Sequence, residues 1–255
     1  MLRDTLLIFR AELAVSLRNK VFIMIGMMQP VLYLVLFGPL MEKLAANTPG
    51  FGTGNTWMVL TPGLIVQIAL LNASFAGYSI LTDQHGGVLE RLRVTPCSRS
   101  ALMLGKVLTI VVSTLFQSIL LIVIASLLFD LDAPLVGSLV CLVIAALLSL
   151  TLASLSNSIA LRMNNEQAFS AVLNVLLLPI VLLSGILLPI TPQLAPTWLF
   201  VLSRLNPLSY VVDISRASFT NNLPLGGVAL GALMLVGFAA LAVWWGSRTF
   251  QRETV

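Results

Sequence analysis

The fold class this sequence predicts is an all-α, polytopic membrane protein with six spanning helices, and three observations predict it. Hydrophobic residues make up 58% of the 255 residues and charged residues only 9%, at a mean hydropathy of +1.01. A soluble domain carries roughly a quarter charged residues. The apolar residues gather into six stretches, each about as long as the ~20 residues a helix needs to cross a bilayer. The 14 basic residues are shared unevenly between alternate connections.

Residues 1–20 stand apart from the spans. Leu2, Leu6, Phe9, Leu13 and Leu17 recur at spacings of four and three, which places them on one helical face. Asp4, Glu12, Ser16 and Arg18 point elsewhere, and Arg3 and Arg10 flank the stripe. This is the pattern of an amphipathic helix lying in the membrane interface. Residues 21–255 form the spanning domain. Spans are expected at Val21–Leu40, Trp57–Ile80, about Val107–Phe129, about Leu135–Ala160, Ala168–Leu188 and Leu225–Trp245. Pro30, Pro62 and Pro179 fall inside or near the ends of spans, where membrane helices tolerate proline. The first apolar run begins late and continues into Glu42 and Lys43. It does not read as a cleaved signal peptide, which has a short apolar core and a small-residue cleavage site.

The basic residues set the orientation. With both termini on one side, the opposite side holds only Lys43, Arg204 and Arg216 of the 14. The excess faces the cytoplasm under the positive-inside rule, so both termini are expected there. Lys106 is counted with Arg91, Arg93 and Arg99 in the cytoplasmic connection.

Two connections are more than loops. Between spans two and three, Gly86 and Gly87 open a segment that Pro96 closes, leaving room for a short cytoplasmic helix over about 86–95. Val88, Leu89 and Leu92 form its apolar face, and Glu90, Arg91 and Arg93 stay polar. The residues alone leave an interfacial anchor and a docking lever equally open. The outer connection after span five is punctuated by Pro192, Pro196, Pro207 and Pro224. Its apolar pieces, Thr197–Leu205 and Leu208–Phe219, are too short to span and read as two short re-entrant helices within about 192–222. Gly185 and Pro189 suggest that span five ends in a break, and non-helical backbone at such depth must be covered by protein or line a wet cavity. Asp213 and Arg216, three apart, are candidates to pair on one face of the second short helix.

Several chemistries are excluded. Dispersed basic residues make no nucleic-acid patch. Cys97, Cys141 and His85 are too few and scattered for a metal site or a disulfide framework. Gly50–Gly54 lacks the Lys-Ser/Thr of a phosphate-binding loop. No span carries a central charge, which argues against intramembrane proteolysis and a proton relay. The polar span residues are neutral, and Gln67, Asn72, Gln117 and Asn174 are the candidates for a substrate pathway.

Transport without a relay or a nucleotide site implies borrowed energy, and here the sequence resembles a known family. Pro62-Gly63-Leu64, then Leu89-Glu90-Arg91-Leu92 with Thr95-Pro96, then Asn206-Pro207-Leu208-Ser209-Tyr210 followed by Arg216, are similar to motifs of type-2 ABC exporter permeases, in the branch that includes daunorubicin-resistance permeases. The resemblance covers essentially the full length and implies a homodimer seated on two copies of a separate ABC ATPase subunit, which would hold the ATP and Mg. It implies that Val88–Arg93, with Thr95 and Pro96, is the coupling helix on that ATPase, and that Arg162–Glu166 is a minor second contact. It implies an outer gate that includes Pro207, Tyr210, Asp213 and Arg216. The expected activity is export of an apolar or amphipathic small molecule (a drug, antibiotic or lipid) across a bacterial cytoplasmic membrane. A glycan exporter is the rival within transport, and a passive channel or membrane adaptor is the rival outside it. Aromatic content of 7%, with few Tyr or Trp in the spans, favours apolar cargo over stacked sugars.

Overall fold

The computed structural model describes residues 2–18, 20–47, 56–87, 99–129, 131, 133–163, 165–190 and 195–220, with six further helical positions between 237 and 244. Among these residues there are helices and connections and no strand. The chain is therefore an all-α, multi-pass membrane protein, as its composition predicts. The first helix, α1, runs Leu2–Arg18 and leads into α2, Lys20–Asn47. Next come α3, Thr56–Ser74, and α4, Gly77–His85. The long helices α5, Arg99–Phe129, and α6, Leu135–Met163, precede α7, Glu166–Leu183. Two short helices follow, α8, Thr197–Leu205, and α9, Pro207–Phe219.

Helix α3 is the centre of the packing and touches α2, α5, α6 and α9. Its span with α4 is 72% buried, whereas the span in α7 is 17% buried. In a membrane protein the difference separates a helix that faces protein on all sides from one that faces lipid or a partner. Leu64, Ile65, Val66 and Leu70 of α3 pack with Leu121 of α5, Leu148 of α6 and Val212 of α9 in the main apolar cluster. Four of the helical segments are long and apolar enough to cross a membrane: 56–85, 101–129, 135–163 and 166–183. Helix α2, at 28 residues, spans ~42 Å at 1.5 Å per residue. The sixth expected span, 225–245, lies outside the described residues apart from a few positions.

The second expected span is broken. A turn at Phe75 and Ala76 separates α3 from α4. The Ser156 hydroxyl of α6 fills the gap in the hydrogen-bond ladder: it donates to the Ser74 carbonyl at 2.5 Å and accepts from the Gly77 amide at 3.0 Å. Gly77 is required there, because a Cβ would meet the Phe169 ring at 2.5 Å and the Ala160 methyl at 2.8 Å. Helix α5, which holds the third expected span, begins at Arg99, earlier than the expected Val107. The two short helices fall where the prolines put them, with Pro196 as the N-cap of α8 and Pro207 in the first turn of α9.

Candidate functional site

Two polar constellations lie at opposite ends of the described bundle. The first, at the end expected to face outward and called outer for that reason, centres on Arg216 of α9. This arginine is 8% exposed, and a guanidinium stays charged, so its donors must be satisfied inside the protein. All of the acceptors are backbone carbonyls. Nε donates to Val59 O at 3.0 Å, and Nη2 donates to Gly185 O at 2.7 Å and Ile186 O at 2.8 Å. The carbonyls at Gly185 and Ile186 are available because α7 stops at Leu183 and Gly185 turns the chain with a φ of +70°. The helical continuation that would occupy them never forms. On α3, Pro62 has no N–H to give Met58 O, which loosens the turn beside Val59.

Gly63 completes the fit. A Cβ at this position would overlap the Ile186 carbonyl and come within 3.4 Å of Arg216 Nη2. Two of the three sequence segments that carry the resemblance, Pro62-Gly63-Leu64 and Asn206 to Arg216, thus meet in one structure. Asn206 adds a second stitch. Its Nδ2 donates to Ile180 O of α7 at 2.8 Å, and its Oδ1 caps α9 by accepting from the Leu208 amide at 3.1 Å. The resemblance grouped Pro207, Tyr210, Asp213 and Arg216 as one outer gate, and the structure turns them different ways. Arg216 turns inward, whereas Pro207, Tyr210 and Asp213 are exposed.

The expected pair between Asp213 and Arg216 is not formed. Asp213 instead accepts from Arg204 Nη1 of α8 at 2.8 Å. Residues three apart on a helix differ by about 60° in direction, enough to put Arg216 in the core and Asp213 at the surface. Arg204 also lies 5.0 Å from the Phe200 ring centroid and 5.5 Å from that of Tyr210, so α8 and α9 are joined by a cation held over two rings.

The inner constellation centres on Lys106 of α5. Counted from sequence as a loop charge, it is only 4% exposed, and its Nζ lies 3.0 Å from Glu12 Oε1 of α1 and 2.5 Å from Asp83 Oδ2 of α4. Sequence reasoning missed this site because Glu12 had been placed away from the helix's buried side. Thr5 is buried and Ile8 packs against the inner apolar cluster, while Leu6 is 54% exposed. The docked face of α1 is therefore rotated from the leucine stripe. Close by, His85 Nδ1 lies 3.5 Å from Glu166 Oε1, between the last turn of α4 and the first of α7.

Of the pathway candidates, Asn72 and Gln117 are brought together. Asn72 Nδ2 donates to Gln117 Oε1 at 2.8 Å and to Thr114 Oγ1 at 3.3 Å, and Gly26 of α2 leaves room beside the Gln117 amide. Gln67 is buried with Oε1 unpartnered among the described residues. Asn174 stands apart on the exposed side of α7, within 3.4 Å of Ser170 in its own helix. Asn157, which sequence reading did not select, is 1% exposed with both amide atoms unpartnered among the described residues. The coupling candidates Val88, Leu89, Glu90, Arg91, Leu92, Arg93, Thr95 and Pro96 lie outside the described residues.

Comparison with known proteins places this architecture. A family profile described as ABC-2 type transporter matches residues 3–220. A putative transport permease ycf38 of Porphyra purpurea is 30% identical over 207 residues, 80% of this chain and 69% of the relative. The daunorubicin resistance ABC transporter permease protein DrrB1 of Streptomyces coeruleorubidus is 24% identical over 196 residues, 74% of this chain and 65% of that one. A probable multidrug ABC transporter permease, YbhR of Escherichia coli K12, is 27% identical over 165 residues, covering 63% and 43% respectively. The profile match runs from α1 to the end of α9 and takes in both constellations, so the chain belongs to the ABC-2 type transporter family, as the membrane permease subunit of an ABC transporter.

Proposed function

We propose that this permease is an exporter subunit that moves an apolar or amphipathic small molecule, of the drug, antibiotic or lipid class, outward across a bacterial cytoplasmic membrane. Two copies pair with each other and with two copies of a separate ATPase subunit, which binds the ATP and Mg. Both termini are cytoplasmic, and α1 lies in the inner interface with Leu6, Leu7 and Val15 toward lipid. The observation that carries the reading is the outer clasp. Arg216 holds the broken end of α7 and the re-entrant α9 together above the central helix α3, which closes that end of the bundle around the central helix. The drug-resistance relatives support the cargo class.

Val88–Arg93, with Thr95 and Pro96, docks in the ATPase, and Glu90 fixes its register through polar contacts. Truncating a partly buried interfacial charge costs about 2–5 kcal/mol. Glu90→Lys therefore yields an inserted protein that loses the ATPase in pull-down. Labelling of introduced cysteines in sealed cells tests the orientation: positions near Asn47 and Asn221 react from outside, and position 93 does not. Cargo is tested by reconstituting the permease with its ATPase and measuring ATP hydrolysis against an anthracycline, phospholipids and a lipid-linked glycan. Stimulation by the glycan alone would replace the small-molecule reading, and ATP-independent flux would remove the exporter reading altogether.

A further inference from the structure

A lysine that is 4% exposed and held by carboxylates from two other helices is costly to place, and its location suggests its use. Asp83 sits in the last turn of α4, and only Gln84, His85 and two glycines separate it from residue 88. This turn is thus the near attachment of the 88–95 segment to the bundle. Two routes lead from it into the bundle. The covalent route runs up α4 into α3, but it is interrupted at Phe75–Ala76 by the turn that Ser156 bridges. The ionic route runs from Asp83 through Lys106 to Glu12 and crosses three helices within two contacts.

The ionic route is also backed by close packing. Gly105, beside Lys106, lets α1 settle onto α5: a Cβ there would lie 2.8 Å from Ile8 Cγ2 and 3.2 Å from the Phe9 amide nitrogen. Helix α1 is separated from α2 by a single residue, Asn19, so a displacement of α1 is a displacement of the first span.

We propose that Glu12, Lys106 and Asp83 are positioning residues that lock α1 to the root of the 88–95 segment, so that α1 and with it α2 receive the ATPase stroke directly. The inference rests on the reading of 88–95 as the ATPase contact. The triad carries two acids for one base, which provides a clean cut. Glu12→Ala severs the arm to α1 and leaves Lys106 and Asp83 paired one to one, so no buried charge is stranded. Lys106→Arg preserves both arms.

The test uses the assembled permease–ATPase complex with nitroxide labels at Ala14→Cys and Gly86→Cys, both exposed positions, in a background lacking Cys97 and Cys141. The label-to-label distance is measured nucleotide-free and with the ATPase trapped by ATP and vanadate. The expected result is one narrow distance in both states for the parent and Lys106→Arg, and a distance that shifts or broadens on trapping for Glu12→Ala. Anthracycline transport per ATP hydrolysed should fall about fivefold or more in that variant, the scale of a typical coupling free energy. If Glu12→Ala keeps the ATPase and shows the parent's distances in both states, the lock is overturned and the functional reading stands. If the parent itself does not retain the ATPase, the functional reading fails, and the inference falls with it.

Discussion

The outer clasp and the inner triad solve the same problem, a buried cation, with different acceptors. Arg216 is held by three backbone carbonyls, two of them at the break in α7. Lys106 is held by two side-chain carboxylates on separate helices. A carbonyl's position follows from local backbone conformation, so Arg216 fixes the shape of the chain around Gly185. A carboxylate sits at the end of a side chain, so Lys106 ties α1, α4 and α5 to one another through side chains rather than through backbone. The planar fork of arginine suits the first task, and the compact ammonium of lysine suits the second. The outer end is built as a fixed clasp and the inner end as a joint.

The largest expected effect is at the clasp. Arg216→Ala removes three hydrogen bonds from a charged donor and leaves buried carbonyls unpaired, a loss on the order of 3–5 kcal/mol. Purified variant in nanodiscs should unfold at a midpoint roughly ten degrees or more below the parent. Arg216→Lys should recover little of this, since one ammonium lacks the fork that reaches from Val59 to Ile186. A lysine that restored the parent's midpoint would erase the distinction between clasp and joint.

The joint ranks second. Lys106→Met leaves Glu12 and Asp83 facing each other, but both remain partly exposed, at 33% and 26%. Solvent therefore softens the cost to about 2 kcal/mol. Unlike the outer site, this one should accept the Arg–Lys exchange: Lys106→Arg is expected near the parent's melting midpoint. Adding Glu12→Gln and Asp83→Asn to Lys106→Met should recover most of the loss, because no charge is then left over. If the triple variant melts below Lys106→Met, the acids are held by something other than the lysine.

Ser156→Ala comes third. It frees the Ser74 carbonyl and the Gly77 amide at the break between α3 and α4, a cost of about 1–2 kcal/mol. Hydrogen exchange should rise locally at 74–79 and remain unchanged at the outer clasp.

The two ends also differ in how much the sequence disclosed. The outer helices were readable almost to the residue, because Pro196 and Pro207 declare first turns and the apolar pieces between them are too short to span. The break after α7 was announced by Gly185. The pairing was not readable. Spacing directed Arg216 toward Asp213, and only the rotation of α9 against α3 shows that its acceptors are at Val59, Gly185 and Ile186. At the inner end almost nothing was legible. Glu12, Asp83 and Lys106 each look like ordinary interfacial charges in their own segments, and sequence spacing carries no information on contacts between helices so far apart in the chain. Ser156 was hidden for the same reason, since a serine in an apolar run gives no sign of the broken helix it bridges.

The smallest effect is the most direct comparison, because each end of the molecule has a glycine in the left-handed region. Gly185 has φ +70° beneath the clasp, with the Leu188 carbonyl 3.3 Å from where a Cβ would stand. Gly87 has φ +68° at the root of the 88–95 segment, with nothing within 4 Å among the described residues. Alanine pays the backbone strain at both, about 1 kcal/mol, and among the described residues meets a neighbour only at Gly185. Gly87→Ala should therefore shift the melting midpoint by no more than a few degrees, while Gly185→Ala should cost more and weaken the clasp. The readouts should also diverge. Gly87→Ala strains the backbone at the root of the segment proposed to contact the ATPase and should be seen mainly in ATPase retention, whereas Gly185→Ala should be seen in stability first. Equal melting losses at the two glycines would mean that the outer turn has room to relax, and the view of that end as a fixed clasp would fail.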